Sequence, residues 1–264
     1  MDTTNYFHWN AEPQLMSFGD FGIGWYGILF ASGFYFGFHI MRWVYSREGK
    51  SLETIDTIFI YMVLGAVLGA RLAHCFFYEP AYYLSNPIEI IMIWKGGLAS
   101  HGGVAGMLIA MYAYAKKTAD IEFLWLLDRM TLVISLGSFF IRCGNLFNSE
   151  IIGIPTSVPW AIVFERVDLL PRHPTQLYEA IVYLLLFILL LFMYLKYREK
   201  LKPGFMMGLL MVVIFGSRFL IEFVKIPQES FEPLLGLNMG QWLSIPVVLL
   251  GLYLILSKEK HGQQ

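Results

Sequence analysis

Seven apolar stretches, each near the length needed to cross a hydrocarbon layer, constrain this chain more than any other feature. They lie near residues 23–45, 53–76, 99–115, 120–141, 176–195, 204–224 and 241–257. A hydrocarbon core about 30 Å thick takes around 20 helical residues to span. Inside it no water meets the backbone N–H and C=O groups, and a helix satisfies its own. With 57% hydrophobic and 15% charged residues, the chain is far from the soluble average of about 45–50% apolar and about 25% charged. The expected fold is an all-α integral membrane protein, a seven-transmembrane helix bundle forming a single polytopic domain over residues 1–264. The third stretch is short, and Gly96, Gly97, Gly102 and Gly103 at its start predict a broken or re-entrant beginning.

Basic residues set the expected orientation. Arg42, Arg47, Lys50, Lys116, Lys117, Lys196, Arg198, Lys200, Lys202, Lys258 and Lys260 share one side of the bundle, against Lys95, Arg166, Arg172 and Lys225 on the other. Eleven against four in short loops puts the first set in the cytoplasm, with the N-terminus outside and the C-terminus inside. The start, Met1-Asp2-Thr3-Thr4, has no basic n-region of the kind that precedes a cleaved signal peptide. The longest connection on the outer side, about residues 145–175, carries Pro155, Pro159, Pro171, Pro174 and a β-like run, Trp160 to Phe164. Its length predicts a small extracytoplasmic head subdomain, since long loops in compact proteins are usually functional. No internal repeat is visible, which weakens a transporter built from paired halves. The net charge of −1 says nothing about nucleic acid, and no basic block suggests it as a partner.

Residues 142–153, Arg-Cys-Gly-Asn-Leu-Phe-Asn-Ser-Glu-Ile-Ile-Gly, carry the most chemistry. They place a guanidinium, two amides and a carboxylate directly after an apolar run. An ionisable residue at membrane depth implies a functional site, because burying it is costly unless it is paired. Anchoring at the interface would need only a lysine or arginine. Other polar residues converge at the same depth: Tyr26 on the first span, Arg71 on the second, His101 on the third, His173 and Gln176 on the fifth, Arg218 and Glu222 on the sixth, Gln241 on the seventh. Each has a plainer reading. Tyr26 could belong to an aromatic belt, and His101 could be a structural imidazole. Arg218 and Glu222 form an i, i+4 pair that could neutralise itself. Gln176 and Glu179 could cap a helix behind Thr175. The number of polar residues at one depth resists those readings. Cys75 and Cys143 both fall near outer span ends, although spacing alone does not pair them. No cluster has metal-ligand spacing, and no phosphate-binding Gly-Lys-Ser/Thr loop or serine-nucleophile motif occurs.

From Trp25-Tyr26-Gly27 to Gly240–Pro246 the chain resembles the prolipoprotein diacylglyceryl transferase family. Residues 142–153 fill every specified position of the family signature Arg-x-Gly-Asn-x-x-Asn-x-Glu-x-x-Gly. His101-Gly102-Gly103, His173 to Glu179 and Arg218-Phe219-x-x-Glu222 are similar to further family motifs. One position departs: where the family often has a tyrosine four residues before the second arginine, this chain has Ile214.

The resemblance implies a bacterial inner-membrane enzyme that needs no cofactor. It would move the diacylglyceryl group of phosphatidylglycerol to the lipobox cysteine of a preprolipoprotein signal peptide, releasing glycerol-1-phosphate. Such chemistry needs a thiolate, and a free cysteine with pKa near 8.5 is mostly protonated at neutral pH. It also needs a cation on the phosphate. On that reading His101 is the candidate base, an imidazole with a reference pKa near 6.5. Arg142 and Arg218 offer planar forks to phosphate oxygens. Asn145 and Tyr26 would orient head group or peptide, and Glu150 and Glu222 would hold the arginines. Gly153 would allow a tight backbone approach, Gln176 is a further substrate-contact candidate, and Arg71 is a weaker phosphate candidate. Partners would be phosphatidylglycerol, signal peptides and membrane lipids. The same arginines would also suit a transporter or channel for anionic solutes, although the inner half of the spans offers chiefly Asp128 and Arg129. A scaffold would not need the converged site.

Overall fold

In a computed structural model the structure describes residues 6–18, 21–118, 120–226 and 236–257. The chain is mostly helical. The long helices are α1 (Trp25–Arg47), α2 (Glu53–Ala73), α4 (Ser100–Lys117), α5 (Phe123–Phe147), α6 (Thr175–Tyr197), α7 (Phe205–Ile221) and α8 (Met239–Leu256), with a short α3 at Pro80–Ser85. They follow the apolar stretches closely. Five spans among the described residues are long and apolar enough to cross a membrane: Glu53–Tyr78, Phe123–Phe147, Thr175–Tyr197, Phe205–Val224 and Met239–Leu256. Helix α1 is rich in tyrosine, tryptophan and glycine and α4 in glycine and tyrosine, residue types that dilute hydropathy without preventing a helix.

Helix α6 shows what solvent such a helix expects. Ala180, Tyr183, Leu186, Leu190 and Tyr194 are buried, while Ile181, Leu185, Ile188 and Phe192 form an exposed stripe at helical spacing. A surface helix in water would carry polar residues on that second stripe. Apolar residues on both faces suit lipid.

The residues group into two compact units. Met41–Leu127 forms one, and Met1–Ile40 with Asp128–Gln264 forms the other. In the first, α2 and α4 meet backbone to backbone. A Cβ at Gly106 would lie 2.0 Å from the Gly65 carbonyl oxygen, and one at Gly69 would lie 2.3 Å from that of Gly102. Small residues permit this approach, which replaces the hydrophobic driving force that lipid removes. Helix α2 runs into a π-helical turn, His74–Tyr78. Short helical pieces at Pro80–Ser85, Pro87–Ile91 and Ile93–Lys95 lead to Gly96 and Gly97, both at positive φ, before α4 begins. Of the glycines expected to break this stretch, Gly96 and Gly97 lie in the irregular segment, whereas Gly102 and Gly103 lie within α4. On the irregular segment, the Lys95 ammonium and the Tyr82 hydroxyl hydrogen-bond Glu89 and hold its carboxyl below the usual carboxylate range.

In the second unit, Gly208 and Gly251 serve α7 and α8 as the paired glycines serve α2 and α4. Asp128 on α5 caps α7, its carboxylate oxygens accepting the N–H groups of Gly204 at 2.8 Å and Met207 at 2.9 Å. A small sheet departs from the all-α expectation: β1 (Phe7–Trp9) runs parallel to β4 (Ile162–Phe164), and β5 (Pro171–Arg172) antiparallel to β4. A hairpin of β2 (Gln14–Phe18) and β3 (Phe21–Gly24) precedes α1. Strand β4 lies within the β-like run that the sequence offers. Leu146, Ile152, Ile162 and Phe164 form a core beneath the sheet with Trp9 and Leu177, and the Trp9 indole donates to the Leu146 carbonyl at 2.9 Å. That core ties the insertion between α5 and α6 to the end of α5.

Candidate active site

The polar segment 142–153 is half helix. Residues 142–147 continue α5, so Arg142 and Asn145 stand at i and i+3 on one face. The Arg142 Nη1 donates to Asn145 Oδ1 at 3.0 Å. Asn145 Nδ2 donates to Glu150 Oε1 at 2.7 Å, and Asn148 Nδ2 to the same oxygen at 3.2 Å. With its N–H on a carboxylate, the Asn145 amide can present only its oxygen to the arginine. Glu150 reaches back because the chain turns sharply, with φ of 54° at Ser149 and 57° at Ile151. Positive φ is strained for a β-branched residue such as isoleucine. The turn is held by the Thr175 hydroxyl, which donates to the Ile151 carbonyl at 2.6 Å, and by Glu150 N–H to the Asn145 carbonyl at 3.1 Å.

From Arg142 an ion chain runs inward. Its Nε lies 2.7 Å from Glu179 Oε2 on α6, whose side chain is fully buried. The other oxygen of Glu179 accepts from Lys225 Nζ at 2.8 Å, and the same ammonium donates to Glu222 Oε1 at 3.0 Å. Arg218 Nε lies 3.4 Å from that Glu222 oxygen, and Asn238 Nδ2 donates to the second one at 3.1 Å. Charges therefore alternate through Arg142, Glu179, Lys225, Glu222 and Arg218. Burying a carboxylate such as Glu179 is tolerable only with such pairing. Three cations against two carboxylates leave one positive charge in excess along this chain. Glu150 lies beyond Asn145 and is exposed, where water and salt screen it.

Two glycines make room for this arrangement. A Cβ at Gly144 would lie 2.8 Å from the Tyr26 ring, and one at Gly240 would lie 2.5 Å from Glu222 Oε1. Tyr26 thus packs directly against the signature helix.

Several sequence expectations need correction. Arg71 is not available to a phosphate. Its Nε donates to the Ile90 carbonyl at 2.9 Å, Nη1 to those of Gly96 and Gly97, and Nη2 to those of Glu89 at 2.5 Å and Met92 at 3.3 Å. All five guanidinium donors are spent on backbone, with Tyr83 stacked beneath at 4.9 Å; Arg71 organises residues 89–97. Gly153 is closely approached by protein. A Cβ there would meet His173 Cβ at 2.5 Å and the Val224 carbonyl at 2.6 Å, and its N–H donates to the His173 carbonyl at 2.8 Å. Glu150 holds Arg142 only through Asn145; the carboxylate in contact with the guanidinium is Glu179, which read as a helix cap. Lys225 read as one of the outer basic residues. Lys225 lies past the end of α7 in extended backbone bridged to Gly153, so helical spacing from Arg218 and Glu222 does not foretell its place.

The remaining candidates make no ion pair with this ion chain among the described residues. His101 opens onto an apolar groove between α2 and α4, lined by Gly69, Ala73, Phe76, Ala105 and Ile109. Gln176 is fully buried, and neither amide atom has a hydrogen-bond partner among the described residues. His173 Nδ1 lies 3.0 Å from the Tyr178 hydroxyl, which accepts from the Trp160 indole at 2.8 Å. Burial holds the His173 imidazole below the ordinary histidine range. Cys75 and Cys143 are both free thiols.

The apolar helices define a helical membrane protein with a buried polar site. The sequence matches the model of the family described as prolipoprotein diacylglyceryl transferase over residues 13–257. It is 50% identical to the phosphatidylglycerol–prolipoprotein diacylglyceryl transferase of Chloroherpeton thalassium, over 100% of this chain and 98% of that protein. It is 47% identical to that of Tolumonas auensis (96% and 98%) and 43% identical to that of Bacteroides fragilis (93% and 93%). The chain belongs to the prolipoprotein diacylglyceryl transferase family.

Proposed function

We infer that the ion chain ending in Arg142 and Arg218 grips the phosphodiester of phosphatidylglycerol, and that the protein transfers that lipid's diacylglyceryl group to a prolipoprotein cysteine. The observation that carries the assignment is the excess cation: one unbalanced positive charge, presented by two guanidinium groups, matches one phosphodiester anion. Family membership and the names of the relatives support the reaction itself. The cysteine sulfur attacks the glycerol carbon, a carbon–sulfur bond forms and the carbon–oxygen bond breaks. The departing phosphate oxygen takes the electron pair, and glycerol-1-phosphate leaves. Charge grows on that oxygen as the bond breaks, so cations already fixed by Glu179, Glu222 and Asn145 stabilise it without reorganising.

The thiol proton goes to His101 in this reading. Replacing His101 with glutamine should slow transfer roughly 10²-fold, the lower end of what a general base contributes. The loss should shrink as pH approaches the thiol pKa near 8.5. Near-normal turnover at pH 7 would return His101 to a structural role.

The same reading takes α1, α2, α4, α5, α6, α7 and α8 as seven spans of one polytopic domain in the bacterial cytoplasmic membrane. The basic-residue asymmetry then puts the N-terminus and the residue 145–175 head outside and the C-terminus in the cytoplasm. The peptide substrate is a signal peptide carrying a lipobox cysteine. Incubating purified protein with acyl-labelled phosphatidylglycerol and a lipobox peptide tests this. A peptide heavier by one diacylglyceryl group, with glycerol-1-phosphate in solution, is the expected result. Solute flux without transfer would favour a transporter, which the engagement of Asp128 by the α7 backbone already makes a poor fit.

A further inference from the structure

We propose that Gln176 reads the free hydroxyl groups of the lipid's glycerol head group and so sets head-group specificity. The proposal rests on the ion chain being the phosphodiester site. Gln176 is fully buried, yet its amide N–H and carbonyl have no partner among the described residues. Buried side-chain amides are nearly always hydrogen-bonded, because an unmet one is destabilising. Its position says what would meet it. Gln176 stands one turn before Glu179 on α6, at i and i+3, so the two side chains share a helical face. Glu179 carries Arg142 on one oxygen and Lys225 on the other. A group bonded to a phosphate held there lies within a turn of the amide.

A second unmet donor stands nearby in the chain fold. The Ser149 hydroxyl is buried without a partner among the described residues, on the strained turn that Thr175, the residue before Gln176, ties down through the Ile151 carbonyl. The chemistry of the ligand follows. A carboxamide offers donors and an acceptor, and a vicinal diol offers the same in reverse on each hydroxyl. An ammonium head group brings only donors, beside Lys225 and Arg142, and would be repelled. An alkyl head group would leave the amide unmet.

The probe is phosphatidyl-1-propanol, which keeps the acyl chains and phosphodiester and lacks both head-group hydroxyls. The wild-type protein should use it about 10²-fold less well than phosphatidylglycerol in kcat/KM, since sites built to hydrogen-bond a hydroxyl strongly reject analogues without it. Gln176→Leu should lose activity on phosphatidylglycerol while keeping its activity on the propanol lipid, bringing the ratio within about tenfold. Gln176→Leu with undiminished discrimination would overturn the proposal. So would equal use of both lipids by the wild-type protein, a measurement that needs no variant to fold. No transfer from either lipid would instead remove the phosphatidylglycerol reading on which the proposal rests.

Discussion

Arg142→Lys is expected to insert and accumulate like the wild-type protein and to transfer diacylglyceryl about 10²–10³-fold more slowly per folded molecule, the usual loss when a fixed donor to a developing anion is removed. The guanidinium does three things at once. Its Nε faces Glu179 at 2.7 Å, its Nη1 donates to Asn145 at 3.0 Å, and the Tyr183 hydroxyl also meets the group. A lysine ammonium keeps the charge and can still pair with Glu179, so the fold should survive. It cannot span a carboxylate, an amide and a phosphate in one plane. Transfer rate and folded yield, measured on the same membranes, check this. A lysine variant with wild-type rate would make Arg142 an interfacial anchor.

The second large effect falls on stability. Lys225→Met should cost about 3–5 kcal/mol, the usual penalty for removing one partner of a buried ion pair. The ammonium is almost wholly buried and donates to both Glu179 and Glu222. Without it two buried carboxylates lose their shared cation, each with one arginine left. Thermal unfolding in detergent should show a large drop. Adding Glu179→Gln should restore part of the loss, because it removes one of the uncompensated charges, and such coupling is expected between direct contacts. A single Lys225→Met variant as stable as wild type would mean that this part of the chain is open to water.

What the sequence made legible was local. The helices follow from apolar runs, because in lipid a long apolar segment has no other way to satisfy its backbone. The signature's Arg142 and Asn145 could be placed together, since both lie within four residues. The helix nonetheless runs through Phe147: polarity at residues 142–145 reads as the end of a span, whereas the i, i+3 contact between Arg142 and Asn145 needs the helix to continue. What stayed hidden was non-local. Glu179 lies on the next long helix, Lys225 follows α7, and β1 pairs with a strand more than 150 residues away. Arg71 shows the same limit from the other side. Its depth matched the site, but five carbonyls on residues 89–97 claim it, and no spacing rule foretells that.

Competition between labelled phosphatidylglycerol and its methyl phosphotriester tests the central claim most directly. The triester keeps both acyl chains and the glycerol head group and removes only the negative charge. Hydrogen bonds to a charged group contribute about 1.5–3 kcal/mol, or roughly 10- to 100-fold in affinity. The triester should therefore compete at least tenfold more weakly against the wild-type protein, and that gap should narrow in Arg142→Lys. A triester that displaces phosphatidylglycerol as well as the unlabelled lipid does would show that the Arg142–Arg218 ion chain does not bind the phosphate.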